Sequence, residues 1–228
     1  GGLALGPEYE FALWDEVAYA RAARNPLAAG VVARTLLRHG TPEQRDRWLP
    51  PIRLGEVHFA LGYSEPEAGS DLASVRCRAE RRGDVYVIEG EKCWQSYAQD
   101  MDVLWLLCRT GTLESRSRGL SLLMVPLDAP GVRGTALPTL AGDRLSAIEL
   151  RGVEVPEEHR VGPENAAWGI MGEALADERH NQFPPGRVRR DLDEVVAWLR
   201  RRGLTADPSL RRRLADLAVR VQEVEIHA

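Results

Sequence analysis

Gly62-Tyr63-Ser64-Glu65-Pro66-Glu67-Ala68-Gly69-Ser70-Asp71, followed further on by Lys92-Cys93-Trp94-Gln95-Ser96, separates two textures of chain. Before it, apolar residues recur at helical spacing. After it come short runs rich in β-branched and aromatic residues, punctuated by Gly, Pro and Asp. Gly62 permits unusual torsions and Pro66 fixes φ, so a strand leaving this stretch turns sharply. Gly69-Ser70 then offers amides and a hydroxyl, the donors with which a loop lacking positive charge can approach a phosphate.

Upstream, residues 8–24 carry Phe11, Trp14, Val17 and Ala18 as one apolar stripe. Pro26 suits a first helical turn, and Leu27 to Leu37 predicts a buried helix with Gly40 as its C′ residue. Thr41-Pro42-Glu43-Gln44 reads as a capping box opening a short helix that ends before Pro50-Pro51, because a residue preceding proline avoids α torsions.

Downstream, strands are expected over Ser74 to Ala79, Val85 to Glu89, Lys92 to Ser96, Val103 to Arg109, Leu120 to Val125, Gly134 to Leu137 and Ser146 to Val155, with Gly90 turning the second into the third. Val103-Leu104-Trp105-Leu106-Leu107-Cys108 lacks polar alternation and predicts a strand buried on both faces. Helices return after residue 164. Asp191 to Arg202 stops at Gly203, and Asp207-Pro208 opens a helix whose Leu210, Leu214, Leu217, Val221 and Val224 ask for partner helices. The expected class is α+β: a helical segment over 1–57, an antiparallel β-barrel or sandwich over 58–160, and a truncated helical bundle over 161–228.

Composition narrows the function. With 228 residues, 44% hydrophobic and 28% charged, the chain has the makings of a soluble globular protein. No apolar run reaches the length of a membrane span, and Gly1-Gly2-Leu3-Ala4 shows no secretory signal, so a cytoplasmic home is expected. A net charge of −4 argues against nucleic acid as the main partner. The basic clusters at Arg187 to Arg190, Arg200 to Arg202 and Arg211 to Arg213 alternate with acids and read as a solvated face or subunit contact. Cys77, Cys93 and Cys108 are odd in number and widely spaced with no C-x-x-C pair, so neither a zinc site nor a disulfide framework is indicated and they read as core residues. The five histidines lack metal-binding spacing, so no metal is expected.

Both quoted segments, with His39-Gly40-Thr41-Pro42-Glu43-Gln44-Arg45, Trp48-Leu49-Pro50-Pro51-Ile52, Val153-Glu154-Val155-Pro156, Val161-Gly162 and Asn165-Ala166-Ala167-Trp168-Gly169, resemble the acyl-CoA dehydrogenase superfamily of FAD-dependent flavoproteins, box by box in family order. The resemblance implies FAD as cofactor. Tyr63 and Ser64 would contact the isoalloxazine edge, Gly69 and Ser70 the pyrophosphate, and Trp94 with Ser96 the ring near N5. Trp94 taken alone would read as a core tryptophan, and Ser96 stands where the family more often has threonine.

The implied reaction is α,β-dehydrogenation of an acyl-CoA or carrier-bound acyl thioester, a carboxylate taking the α-proton while hydride passes to the flavin. In most of the family that base lies late in the C-terminal domain, outside this chain, which by resemblance is incomplete at both ends. A minority places it where Glu178 stands, making Glu178 the candidate here, although a helical charge pair with Arg179 would read the same. Arg179 is implied as a positive group near the acyl site, and Ser70 as a substrate contact. An electron-transfer flavoprotein or similar acceptor and a homo- or hetero-oligomer, dimer or tetramer, are the implied partners. After Arg179, His180-Asn181-Gln182-Phe183-Pro184-Pro185-Gly186 must interrupt the helix. Two rival readings are a flavin-dependent monooxygenase of the same fold and a non-catalytic subunit of a heteromeric dehydrogenase.

Overall fold

The structure, a computed structural model, describes residues 6–23, 27–182 and 184–227. Its elements run helices, sheet, helices, as the α+β reading expects. Two compact units form, residues 27–175 and residues 1–26 with 176–228. Pro26 lies outside the described residues.

Helix α1 is Pro7–Tyr19. In the larger unit, Leu27–Val32 winds as a π-helix and passes directly into α2, Ala33–His39, burying Ala28, Val31, Val32 and Leu36. Gly40 is not the left-handed C′ residue expected. Its φ is −75°, and it is confined by space, since a Cβ there would stand 2.6 Å from the Leu36 carbonyl oxygen. The capping box of α3, Pro42–Leu54, forms as read: Thr41 Oγ1 accepts from Gln44 N at 3.2 Å and Gln44 Oε1 from Thr41 N at 3.0 Å. The helix does not stop at the prolines. Trp48 and Ile52, one turn apart on the buried face, hold the last turn down, while Asp46 and Arg47, whose carbonyls lose their donors to Pro50 and Pro51, are exposed. Gly55, at φ 72°, supplies the left-handed end.

Eight strands follow: β1 Phe59–Gly62, β2 Arg78–Arg82, β3 Val85–Ser96, β4 Val103–Arg109, β5 Leu120–Pro126, β6 Val132–Pro138, β7 Arg144–Pro156 and β8 Arg160–Val161. They lie in the order β6-β7-β3-β2-β4-β5-β8, with β1 also on β4. The sheet is mixed where a wholly antiparallel one was expected. One edge of β4 is shared end to end by two parallel neighbours, β1 along Val103 to Leu106 and β2 at Arg109. All seven residues of β4 are buried. Val103, Trp105 and Leu107 join a core with Trp48, Phe59 and Met171, whereas Leu104, Leu106 and Cys108 join another with Tyr86, Ile88 and Ile148. The period-2 geometry of a strand thus serves two cores at once.

Gly90 makes no turn. β3 runs through it unbroken, and the hairpin with β2 turns at Gly83, φ 63°. Gly90 is needed for closeness, because a Cβ would lie 2.6 Å from Cys77 Cα. The strand expected from Ser74 starts only at Arg78, since Leu72–Ser74 form a 3-10 turn. All three cysteines are buried and free.

In the smaller unit, α4 (Ala167–Gln182, entering from the larger unit) ends before Pro184-Pro185, and α5, Gly186–Arg201, starts after them, the interruption expected. Asp15 on α1 accepts from Gly186 N at the head of α5 and pairs with Arg189 at 2.8 Å, a carboxylate at a helix N-terminus. Arg189 also pairs with Glu225 and Arg190 with Glu194, so part of the basic cluster at 187–190 is neutralised within the chain, while Arg21 pairs with Asp191 and Glu194. Gly203, φ 68°, follows α5. Asp207 caps α6, Pro208–His227, accepting from Ser209 N at 2.7 Å. On α6, Leu217 and Val224 stay exposed.

Candidate functional site

The loop after β1 is folded by a reciprocal pair of backbone bonds, Glu65 N to Ala68 O at 2.8 Å and Ala68 N to Glu65 O at 3.1 Å, with Pro66 and Glu67 at the corner. Glu65 turns inward. Its Oε1 accepts from Lys92 Nζ at 2.8 Å and Cys77 N at 2.9 Å, its Oε2 from Arg76 N at 2.7 Å. Lys92, fully buried, also donates to Tyr63 O at 2.9 Å, and Cys93 N donates to Ser64 O at 2.9 Å. The two sequence segments are therefore stitched together, bringing Tyr63 and Ser64 alongside the end of β3. Sequence reasoning gave neither Glu65 nor Lys92 a role; a charge of each sign inside two apolar boxes was the available signal.

With the loop anchored from inside, Gly69 and Ser70 are left exposed. Among the described residues neither makes a hydrogen bond. A Cβ on Gly69 would meet nothing within 4 Å, so neither packing nor torsion within the chain demands glycine there.

At the end of β3 a bulge falls between Cys93 and Gln95. Trp94, the residue at the bulge, has φ 73° and is 57% exposed; it is no core tryptophan. Gln95 points inward, its Nε2 donating to Cys93 O at 2.7 Å, and Ser96 is exposed like Trp94. A bulky side chain at positive φ is costly. The Tyr63 ring, in contrast, is buried with Trp48 and Phe59 in one core, and the Tyr63 carbonyl accepts from the buried Lys92.

Just beyond the loop, Arg109 is buried and donates to the carbonyls of Ala73, Val75, Thr112 and Arg116, at 2.8 to 3.0 Å. Burial lowers its pKa. It ties the 73–75 turn to the 112–116 segment, and its signal in the sequence is a charge that ends an apolar strand. Glu178 and Arg179 stand on α4 by backbone, with side chains outside the described residues. Among the described residues there is no group of three potential metal ligands, and no helix is long and apolar enough to cross a membrane.

Known proteins resemble this chain in sequence and in fold. The family model "Acyl-CoA dehydrogenase, N-terminal domain" matches residues 1–56, and "Acyl-CoA dehydrogenase, middle domain" matches residues 60–154. Acyl-CoA dehydrogenase FadE26 of Mycobacterium tuberculosis is 42% identical over 81% of this chain and 47% of its own length. Among solved structures, the Tcur3481-Tcur3483 steroid ACAD superposes with a TM-score of 0.94 at 36% identity, covering 99% of this chain and 59% of that one. The ChsE4-ChsE5 complex from Mycobacterium tuberculosis does so at 0.91 and 36%, covering 99% and 60%. The chain spans about half the length of the curated relatives it matches. By two family models in sequence order, and by relatives that share its sequence along most of its length, this chain belongs to the acyl-CoA dehydrogenase family.

Proposed function

We propose that this chain is part of an FAD-dependent enzyme that dehydrogenates an acyl thioester across its Cα–Cβ bond. The observation that carries the reading is Trp94, an indole held outward at positive φ on a β-bulge beside the exposed hydroxyl of Ser96. The residues present fit a flavin. The Gly69 amide and Ser70 hydroxyl are available for a pyrophosphate, the Trp94 ring offers a flat apolar face, and Ser64 and Ser96 offer hydroxyl donors. Tyr63 would contribute main chain. When bound, FAD supplies the hydride acceptor.

For the substrate, Glu178 would take the α-proton and Arg179 would set a positive charge near the acyl end, with Ser70 as a further contact. The thioester carrier is CoA or a carrier protein. The steroid ACAD relative favours a bulky polycyclic acyl group, and an electron-transfer flavoprotein or similar acceptor would reoxidise the enzyme. The match to one chain of the ChsE4-ChsE5 complex favours a second reading, in which this chain is one subunit of a heteromer and the base comes from elsewhere in the assembly.

The test is anaerobic titration of the full-length, FAD-loaded protein with acyl-CoA thioesters, including steroid side-chain thioesters, following the oxidised-flavin absorbance. Bleaching by any member supports dehydrogenation; flavin bound without bleaching across the panel overturns it. Glu178→Gln then separates the two readings: a loss of about 10²-fold or more in the bleaching rate assigns the base here, and an unchanged rate moves it to another segment or subunit.

A further inference from the structure

We propose that Tyr97 is a second ligand-facing aromatic, its ring covering an edge of the flavin beside Trp94; the inference rests on the flavin reading above. Tyr97 has φ 56° and ψ 19° and is 48% exposed. The described non-glycine residues at positive φ are Arg21, Trp94, Tyr97, Arg116 and Asn165, so both aromatic members fall within one four-residue stretch at the end of β3. An L-residue with a Cβ pays for the left-handed region, where glycine or asparagine sits more easily.

The bonds that hold this turn do not use the ring. Tyr97 N donates to Arg144 O at 2.7 Å, Asp100 N donates to Tyr97 O at 2.9 Å, and the Arg144 guanidinium pairs with the Asp100 carboxylate. Asparagine would keep both backbone bonds at lower torsional cost. Nor does the ring fill the core: the inward residues here are Gln95 and Ala98, and among the described residues the Tyr97 hydroxyl makes no hydrogen bond. A large ring, half in water, thus sits in a conformation that a smaller residue holds more easily. Its use lies in a contact outside the chain. Trp94 and Ser96 are exposed in the same stretch, and the chemistry that suits an indole and a phenol flanking a hydroxyl is a flat aromatic body with a polar edge.

The experiment uses the full-length protein with any partner subunit it purifies with, stripped of flavin and titrated with FAD while flavin fluorescence is followed. The flavin-free melting temperature is measured on the same samples. Tyr97→Asn is expected to bind FAD about three- to tenfold more weakly, with a melting temperature unchanged or raised, and Tyr97→Phe to bind as the parent does. Equal FAD affinity in Tyr97→Asn and the parent overturns the proposal. So does weaker binding accompanied by a lower melting temperature, which would make the residue a support of the turn. A parent protein that binds no FAD fails the flavin reading itself, and Tyr97 with it.

Discussion

Lys92 Nζ stands 2.8 Å from Glu65 Oε1, the lysine fully buried and the glutamate 7% exposed, and this pair joins the loop after β1 to β3. Removing two charges from water is costly, and their attraction offsets that cost only when the remaining polar atoms are satisfied. Here they are supplied by the Tyr63 carbonyl and by the Arg76 and Cys77 amides. Lys92→Met leaves the carboxylate with two amide donors and no cation. We expect a loss of about 3–5 kcal/mol in urea unfolding, partly recovered in Lys92→Met/Glu65→Gln. A loss below about 1 kcal/mol for the single variant would show that the pair is solvated.

Two glycines give opposite forecasts. Gly90→Ala puts a Cβ 2.6 Å from the Cys77 backbone at φ 145°, and is expected to cost about 2–4 kcal/mol. Gly69→Ala meets nothing, so its stability should stay within about 0.5 kcal/mol of the parent while its affinity for FAD falls. Urea unfolding and flavin titration of the two variants check both halves. A destabilised Gly69→Ala would contradict the open space around that residue.

His159 sets a pH dependence. It is 4% exposed, its Nδ1 lies 2.8 Å from Met124 O, and its Nε2 lies 3.4 Å from Arg47 Nη1. Burial, aided by the Arg47 charge, lowers its pKa below the ordinary histidine value. The unfolded chain therefore takes up the proton first as pH falls. The stability contribution is complete above about pH 6.5 and is lost as pH drops toward and through the folded-state value. The urea midpoint should fall between pH 7.5 and pH 5.5, and fall less in His159→Gln; equal slopes for the two would remove His159 as the cause.

The three thiols should be silent. Burial pushes Cys77 up to about 11 and Cys108 well above its ordinary value, and Cys93 is buried as well. At pH 8 a disulfide reagent such as DTNB is expected to label none of them in the native protein and all three after unfolding. Fast labelling of Cys77 in the native state would mean that β2 opens readily.

Much of this architecture was legible because it depends on near neighbours. The Thr41–Gln44 capping box is a four-residue arrangement, and the unbroken apolar run of β4 announces a strand with a core on either side. What was misread depends on distant residues. Gly90 looked like a turn because the requirement for no Cβ comes from Cys77, distant in sequence and just ahead of β2. The prolines of α3 looked like a stop because the packing of Trp48 and Ile52 is invisible in local propensity. The parallel pairing of β1 and β2 with β4 could not be foreseen, since strand order is a property of the whole sheet.

The same division runs through the site. The sequence by itself determined the helix–sheet–helix order, the doubly buried strand and the break before α5, because hydrophobic period, proline and glycine act within a turn or two of where they stand. Only the tertiary structure decided that Trp94 faces outward on a bulge, that the Tyr63 ring is core, and that Glu65 and Lys92 hold the loop from within. Those outcomes turn on which side of a strand is buried and on which charge meets which donor across a fold, and both are settled when separate segments compete for the same water-free space.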